Sequence, residues 1–265
     1  SAMMWVRSNK SAKMLGEWSS TPKLSHPQRV AGPMVTARTG YTGQVALTGL
    51  PSGQEIFYRV RFGDAKGTET RLGHLRTPSK TRDVSFVFGG DQCGAGWGIN
   101  PEWGGLKLFE TMRRTHPDFL IHLGDRIYSD KIILERASTP DGLNWQNIIT
   151  PAKSKVAETL NDYRGNYSYN FLDKHYREFC EEVPSLTTWD DHEVTNNWWP
   201  GKKLSRRVMF RKGYRQHNVN RLAQNGMRAF FDFTPIQRYP KDPNRIFRKI
   251  SYGSHIDVFL LDPRS

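Results

Sequence analysis

Three short apolar runs that each break into an aspartate constrain this chain more than any other feature. Val84-Ser85-Phe86-Val87-Phe88 runs into Gly89-Gly90-Asp91. Phe119-Leu120-Ile121-His122-Leu123 runs into Gly124-Asp125, and Ser185-Leu186-Thr187-Thr188-Trp189 into Asp190-Asp191. Apolar runs of this length, closed by glycine or polar residues, read as strands covered on both faces, the habit of parallel sheets. In open α/β sheets ligands bind outside the carboxyl ends of the strands. Neighbouring strands would therefore bring these aspartates together. The third end is the richest: Trp189 to Trp198 holds Asp190, Asp191, His192, Glu193, Asn196 and Asn197.

The rest of the chain reads as the frame for those ends. Residues 1–78 have a β texture. Met4–Arg7, Lys13–Trp18, Gln44–Thr48 and Glu55–Phe62 are strand candidates, and Gly49-Leu50-Pro51-Ser52-Gly53 is a turn cluster. Short strands between Gly/Pro turns predict a small sandwich. Its turn-then-Tyr-x-Val pattern resembles fibronectin III-like modules, and Thr77-Pro78-Ser79-Lys80 reads as a linker. From residue 83 strands and helices alternate. A helix over 106–115 between the first two apolar runs predicts a βαβ unit. Residues 129–150 read as a surface insertion. Residues 152–182 read as helical with a break at Gly165-Asn166, and residues 205–231 as one or two amphipathic helices. Residues 246–250 and 256–261 read as further strands, the last entering Asp262-Pro263-Arg264-Ser265.

Composition removes some classes. No run approaches the roughly 18 apolar residues of a membrane span, and residues 1–15 lack the apolar core of a secretory signal. Lys+Arg 39 against Asp+Glu 26 leaves a formal charge of +13, which favours phosphate-bearing partners. The cations are not gathered in one block, so a dedicated nucleic-acid stripe is the weaker reading. Cys93 and Cys180 show no disulfide spacing, and Cys180 reads as a core residue of a helix.

The strand-end residues match the needs of phosphate-ester hydrolysis: neutralised phosphoryl oxygens, an activated water and a proton for the leaving group. Two metals roughly 3.5–4 Å apart supply the first two. Asp125 is the candidate bridging carboxylate, and Gly124 allows close backbone approach. Tyr128 reaches the same metal if the loop turns helically; a phenolate suits a hard, acidic metal, whereas carboxylates and amides suit Ca, Mg or Mn. Asp191 is the candidate for a second metal, with His192 facing the substrate as acid or charge stabiliser. Each has a bland counterpart. Asp125 could be a helix cap, Asp91 ordinary turn chemistry, Tyr128 a core aromatic. His122, inside an apolar run, reads as a packed histidine, and His217 and His255 as structural. Arg264 either clasps a phosphate or closes an ion pair. Trp198 and Trp199 either wall a cleft or plug the core.

Phe88-Gly89-Gly90-Asp91, His122-Leu123-Gly124-Asp125-Arg126-Ile127-Tyr128, Trp189-Asp190-Asp191-His192-Glu193-Val194-Thr195-Asn196-Asn197 and Leu261-Asp262-Pro263-Arg264-Ser265 together resemble the alkaline phosphatase D (PhoD-like) family of calcineurin-like metallophosphoesterases. The resemblance spans nearly the whole chain. It implies a mixed α/β and α+β architecture: a fibronectin III-like β-sandwich over 1–78, then a metallophosphoesterase β-sandwich flanked by helices over 83–265, incomplete at its C-terminus. It implies hydrolysis of phosphate mono- or diesters, including lipid or nucleotide diesters, in the periplasm or outside the cell. It implies Fe(III) and calcium, with Mn and Zn as alternatives. By position, Asp91, Asp125, Tyr128 and Asp191 would bind metal, His192 and Asn196 would serve catalysis, and Asn197 or Arg264 would bind metal or phosphate. Two departures stand out. Family members often carry Cys where this chain has Asp91. Cys93 sits where the wider superfamily's Asp-x-His places histidine, which makes it a further ligand candidate. The competing reading is a catalytically impaired or non-enzymatic binding module, since the family's later ligands lie beyond Ser265. Nucleic acid enters only as a substrate class.

Overall fold

A computed structural model describes residues 1–63, 70–254 and 256–265; His255 lies outside the described residues. The N-terminal part holds six strands: β1 (Ala2–Arg7), β2 (Ala12–Ser19), β3 (Gln28–Val35), β4 (Thr42–Leu47), β5 (Glu55–Phe62) and β6 (Gly73–Arg76). They form a four-stranded sheet in the order β3-β2-β5-β6 and a two-stranded β1-β4 sheet. Alternate residues point to one side of a strand, and here that side is apolar. Met4 and Val6 meet Met14, Trp18, Leu47, Ile56 and Val60 in one core between the two sheets. Two strands escaped the sequence reading. β3 contains Gly32 and Pro33, residues that argue against a strand. Gly32 is there because a Cβ would lie 2.7 Å from the Met14 side chain on β2.

The larger part follows with β7 (Phe86–Gly89), α1 (Lys107–Arg114), β8 (Phe119–His122), β9 (Arg136–Ser138), β10 (Asn144–Gln146), α2 (Leu160–Asn170), α3 (Lys174–Glu182), β11 (Ser185–Thr187), α4 (Arg206–Lys212), α5 (Val219–Phe233), β12 (Arg248–Tyr252) and β13 (Ile256–Leu260). The three apolar runs are neighbours, as their composition predicts. They form a parallel sheet in the order β11-β8-β7. Leu120 turns to α1 and α3, packing with Phe109, Tyr176 and Phe179. Phe119, one residue earlier, turns the other way and meets Tyr252 of β12 at 4.8 Å. Helices therefore cover one face, and the antiparallel β12-β13 pair lies against the other. β7 is an edge strand with Phe88 69% exposed.

The main core gathers around α5, where Trp189, Val194 and Trp198 pack with Leu222, Phe230 and Phe233. The last carbonyls of a helix lack partners within it. Here the N-terminal part supplies them. Trp5 and Gln44 face each other across β1 and β4. Trp5 Nε1 donates to Asp232 O at 2.8 Å. Gln44 Nε2 donates to Phe231 O at 2.7 Å and to Thr234 O at 2.9 Å.

Two expectations need correction. The helical stretch does not break at Gly165-Asn166, since α2 runs through both. Gly165 is a contact point, because a Cβ there would lie 2.5 Å from Ala152 Cβ. The chain breaks instead at Phe171–Asp173, where the Asp173 side chain caps α3 through Tyr176 N. Cys180 does not pack in the core. It lines a cavity of about 610 Å³, together with Trp5, Tyr58, His122 and Phe179. Its surface is accessible, yet the surrounding burial pushes its thiol up to about 11. No helix among the described residues is long and apolar enough to cross a membrane.

Candidate active site at the strand ends

The parallel sheet sets the order of its own exits. Asp91 follows β7, Asp125 follows β8, and Asp190-Asp191 follow β11, so all leave the same end. The turns are then locked to one another. Asp91 N donates to Gly124 O at 3.2 Å and Gln92 N to Asp125 O at 2.9 Å. Glu193, fully buried, accepts from Arg126 N at 2.7 Å, Asp190 N at 2.9 Å and Asp125 N at 3.2 Å. This carboxylate joins the β8 and β11 exits. Asp91, Asp125 and Asn197 hold left-handed backbones, with φ of 58°, 54° and 51°. That conformation is uncommon outside glycine and costs about 1–3 kcal/mol, so the surrounding bonds must enforce it.

One ligand atom each from Asp125, Asp191 and His192 lies within 4.8 Å of the others, and all three residues are buried. His192 N donates to Asp125 Oδ1 at 3.1 Å. The Tyr128 hydroxyl donates to the Asp91 carboxylate, and the Tyr128 ring lies 4.3 Å from that of His192. Asn197 N donates to the Asp191 carboxylate. The side chains of Asn196 and Asn197 are exposed at the mouth, while Asn196 N donates to Asp130 Oδ2 at 3.2 Å. Arg264 Nε pairs with Asp190 at 2.6 Å, and its Nη2 lies 3.9 Å from Asp191. Cys93 is directed elsewhere, its Sγ donating to Asn170 Oδ1 at 3.7 Å. His122 is buried and accepts from Gly124 N at 3.3 Å. Burial, with Arg126 nearby, pushes His122 down to about 3, so it is neutral. Asp262 orients Trp189 by accepting from its Nε1 at 2.8 Å.

Sequence reading missed Asp130 and Lys212. Residues 129–150 read as a surface insertion, yet Ser129 and Asp130 are both 1% exposed. His192 Nδ1 and Asp130 Oδ1 lie 2.5 Å apart, and Lys212 of α4 binds the other carboxylate oxygen. Burial alone would raise the Asp130 carboxyl. The bonds from His192 and Lys212 outweigh it and hold Asp130 down to about 2. In return, burial lowers His192 but Asp130 outweighs that and raises it. An acceptor at Nδ1 fixes the tautomer and frees Nε2 for the site. The only early signal was a carboxylate five residues after Asp125; the lysine, 82 residues away in sequence, gave none.

The donor set fits hard cations. Burial pushes the Asp125 carboxyl up to about 6, with Asp191 and Asp190 adding to the push against the pull of His192. Arg126 does not neutralise these acids, because its guanidinium turns to Tyr176 Oη at 2.9 Å and Thr234 Oγ1 at 2.9 Å. Arg264 reaches Asp191 only at 3.9 Å, and buried carboxylates gathered this closely are what a metal ion satisfies. The buried Gln92 amide beside them also has no hydrogen-bond partner among the described residues. The large cavity is not this site: Asp91, Asp125, Tyr128, Asp191 and His192 are all absent from its lining.

Parallel strands whose carboxyl ends gather acids, an imidazole and a phenol define an α/β protein with a metal-suited strand-end site. Residues 86–265 match the PhoD-like phosphatase family model, and residues 1–79 match that of the PhoD-like phosphatase N-terminal domain. The chain belongs to the PhoD-like phosphatase family. It is 24% identical over 235 residues to alkaline phosphatase D of Bacillus subtilis (strain 168), covering 87% of this chain and 37% of that protein. Its fold is similar to that in the structure of PhoD, with a TM-score of 0.75 at 20% identity, covering 99% of this chain and 49% of that one. It is also similar to purple acid phosphatase PPD1 from yellow lupin (Lupinus luteus) seeds, with a TM-score of 0.56 at 14% identity over 95% of this chain and 41% of the other. The chain thus spans less than half the length of these relatives.

Proposed function

We propose that the strand-end cluster is a hydrolytic site for phosphate mono- or diesters, built around two metal ions. The observation that supports this most directly is the meeting of Asp125, Asp191 and His192 within 4.8 Å. Asp91, Asp125 and Tyr128 would hold one ion and Asp125 and Asp191 the other, with Fe(III) and calcium the pair that the family resemblance implies. Bound there, the ions would supply charge neutralisation for the phosphoryl oxygens and an activated water. The chain's own groups do the rest. Asp130 holds His192 protonated at Nδ1 and keeps the imidazole charged to a higher pH, so Nε2 can donate a proton to the leaving oxygen or stabilise its charge. Arg264, fixed by Asp190, turns a guanidinium toward Asp191 and the incoming anion. Asn196 and Asn197, exposed at the mouth, offer amides to the phosphoryl group or a metal. Residues 1–78 act as a fibronectin III-like module that supports the phosphoesterase domain over 83–265, and the protein works in the periplasm or outside the cell.

Protein loaded in turn with Fe(III) plus calcium, Mn and Zn is offered p-nitrophenyl phosphate and bis-p-nitrophenyl phosphate across the pH range. Nitrophenol release that disappears in Asp125→Asn is the expected result. Absence of release with every metal would overturn the reading. A protein that takes up no metal by elemental analysis would favour the alternative of a binding module.

A further inference from the structure

The loop after the acidic cluster carries an indole that the core does not use. Trp198 and Trp199 adjoin in sequence but part in space. Trp198 is 3% exposed within the main core, whereas Trp199 is 58% exposed. A single exposed aromatic needs no explanation by itself; its neighbours are what distinguish this one. Lys202 Nζ lies 4.8 Å from the centre of the Trp199 ring. The same ammonium donates to Asn197 O at 2.6 Å and Asn196 O at 3.1 Å. Asn197 N in turn binds the Asp191 carboxylate. One lysine and one backbone turn therefore tie the indole to the metal-suited cluster. A cation over an aromatic ring restrains it, and more than half of the residue remains open to solvent.

Charge points the same way. Of the cations at this mouth, Arg264 pairs with Asp190 and Lys212 with Asp130. Lys202 has no carboxylate partner among the described residues; neutral carbonyls and the indole hold it. It lies near enough to Lys212, Arg264 and Asp191 to feel all three. An anion arriving at the cluster would meet this ammonium, which no direct ion pair holds among the described residues. A planar group attached to that anion would meet the indole, and aromatic rings stack on tryptophan with little regard to their identity.

We propose that Trp199 and Lys202 form a leaving-group subsite for phosphate esters that carry a planar aromatic group, as aryl phosphates and nucleotides do. The ring stacks on Trp199, and the phosphoryl group lies toward Lys202 and Asp191. This rests on the phosphoesterase reading, so the test separates the two. Manganese(II)-loaded protein is titrated calorimetrically with phenylphosphonate and methylphosphonate, which share a head group and differ only in the ring. The wild type should bind the phenyl compound about tenfold more tightly, the size expected of one stacked ring. In Trp199→Ala that ratio should fall to about one with methylphosphonate affinity unchanged, and Trp199→Phe should restore it. Lys202→Met should weaken both compounds by the same factor. A ratio that survives in Trp199→Ala, or a loss shared equally by both compounds there, overturns the subsite alone. Failure of the wild type to bind either compound overturns the phosphoesterase reading and the subsite with it.

Discussion

Gly124 shows how little latitude the site leaves at single positions. Its φ is 111°, and an added Cβ would lie 2.6 Å from Asp190 Cβ and 2.7 Å from Asp190 N. Alanine there meets both backbone strain and a collision between the β8 and β11 exits. Gly124→Ala should therefore lose at least about 2 kcal/mol of stability and most metal uptake. Thermal melting and elemental analysis read the two effects; an unchanged melting temperature would refute the close approach. Asp130 is of the other kind: its carboxylate faces His192 Nδ1 at 2.5 Å and, on the proposed hydrolytic reading, would position that imidazole. Asp130→Asn should lower kcat on p-nitrophenyl phosphate by about a hundredfold with KM little altered. A change confined to KM would place Asp130 in binding instead. At this scale the meeting of Asp91, Asp125, Tyr128, Asp191 and His192 was legible, because polar residues after apolar runs leave a mark in sequence. Asp130 and Lys212 were not. They bond atoms that only folding brings near, and nothing beside them in the chain records that partner.

Among the elements, apolar runs betrayed their strands, and amphipathic spacing betrayed α4 and α5. Local signals failed where tertiary contact overrode them. Gly165 looked like a helix breaker but serves the approach of Ala152, and Gly32, inside a strand that the sequence reading passed over, makes room for Met14. One element-level device in the N-terminal sheet has a measurable pH signature. Glu17 of β2 is buried and accepts from Arg59 Nε at 2.8 Å on β5 and Arg29 Nε at 3.1 Å on β3. Burial raises its carboxyl, but Arg59 and Arg29, with Arg61 at 4.0 Å, outweigh that and lower it. A lowered folded value means the ionised form stabilises the sheet above the unfolded value and that this stability drains away as pH falls through the folded one. Glu17→Gln should cost about 1–3 kcal/mol at pH 7, discounted for the exposed Arg29. The gap to wild type should close below about pH 4. Melting temperatures of both proteins from pH 7 to pH 3 provide the check, and a gap of constant size would discard the ion-pair account.

Across the whole molecule, the two parts are joined through the C-terminus of α5. Trp5 and Gln44 satisfy carbonyls there that no helical bond can reach, and Trp5 also stacks on Phe171 at 5.2 Å. Paired replacement by Ala should remove about 3 kcal/mol, since truncating a partly buried aromatic and stranding the carbonyls at the helix end both contribute. Calorimetry should show the single unfolding transition of wild type moving to lower temperature; an unmoved transition would mean the junction carries no stability. No pattern in the sequence announced this joint, because its partners lie some 190 residues apart.

Among the described residues β7 pairs only with β8, at the edge of the parallel sheet, and Phe88 projects beside it. Such an edge is a template for another copy of itself. Concentrated solutions should thus scatter light increasingly on storage, through strand-to-strand growth that leaves the dilute protein untouched. Phe88→Lys should keep them clear.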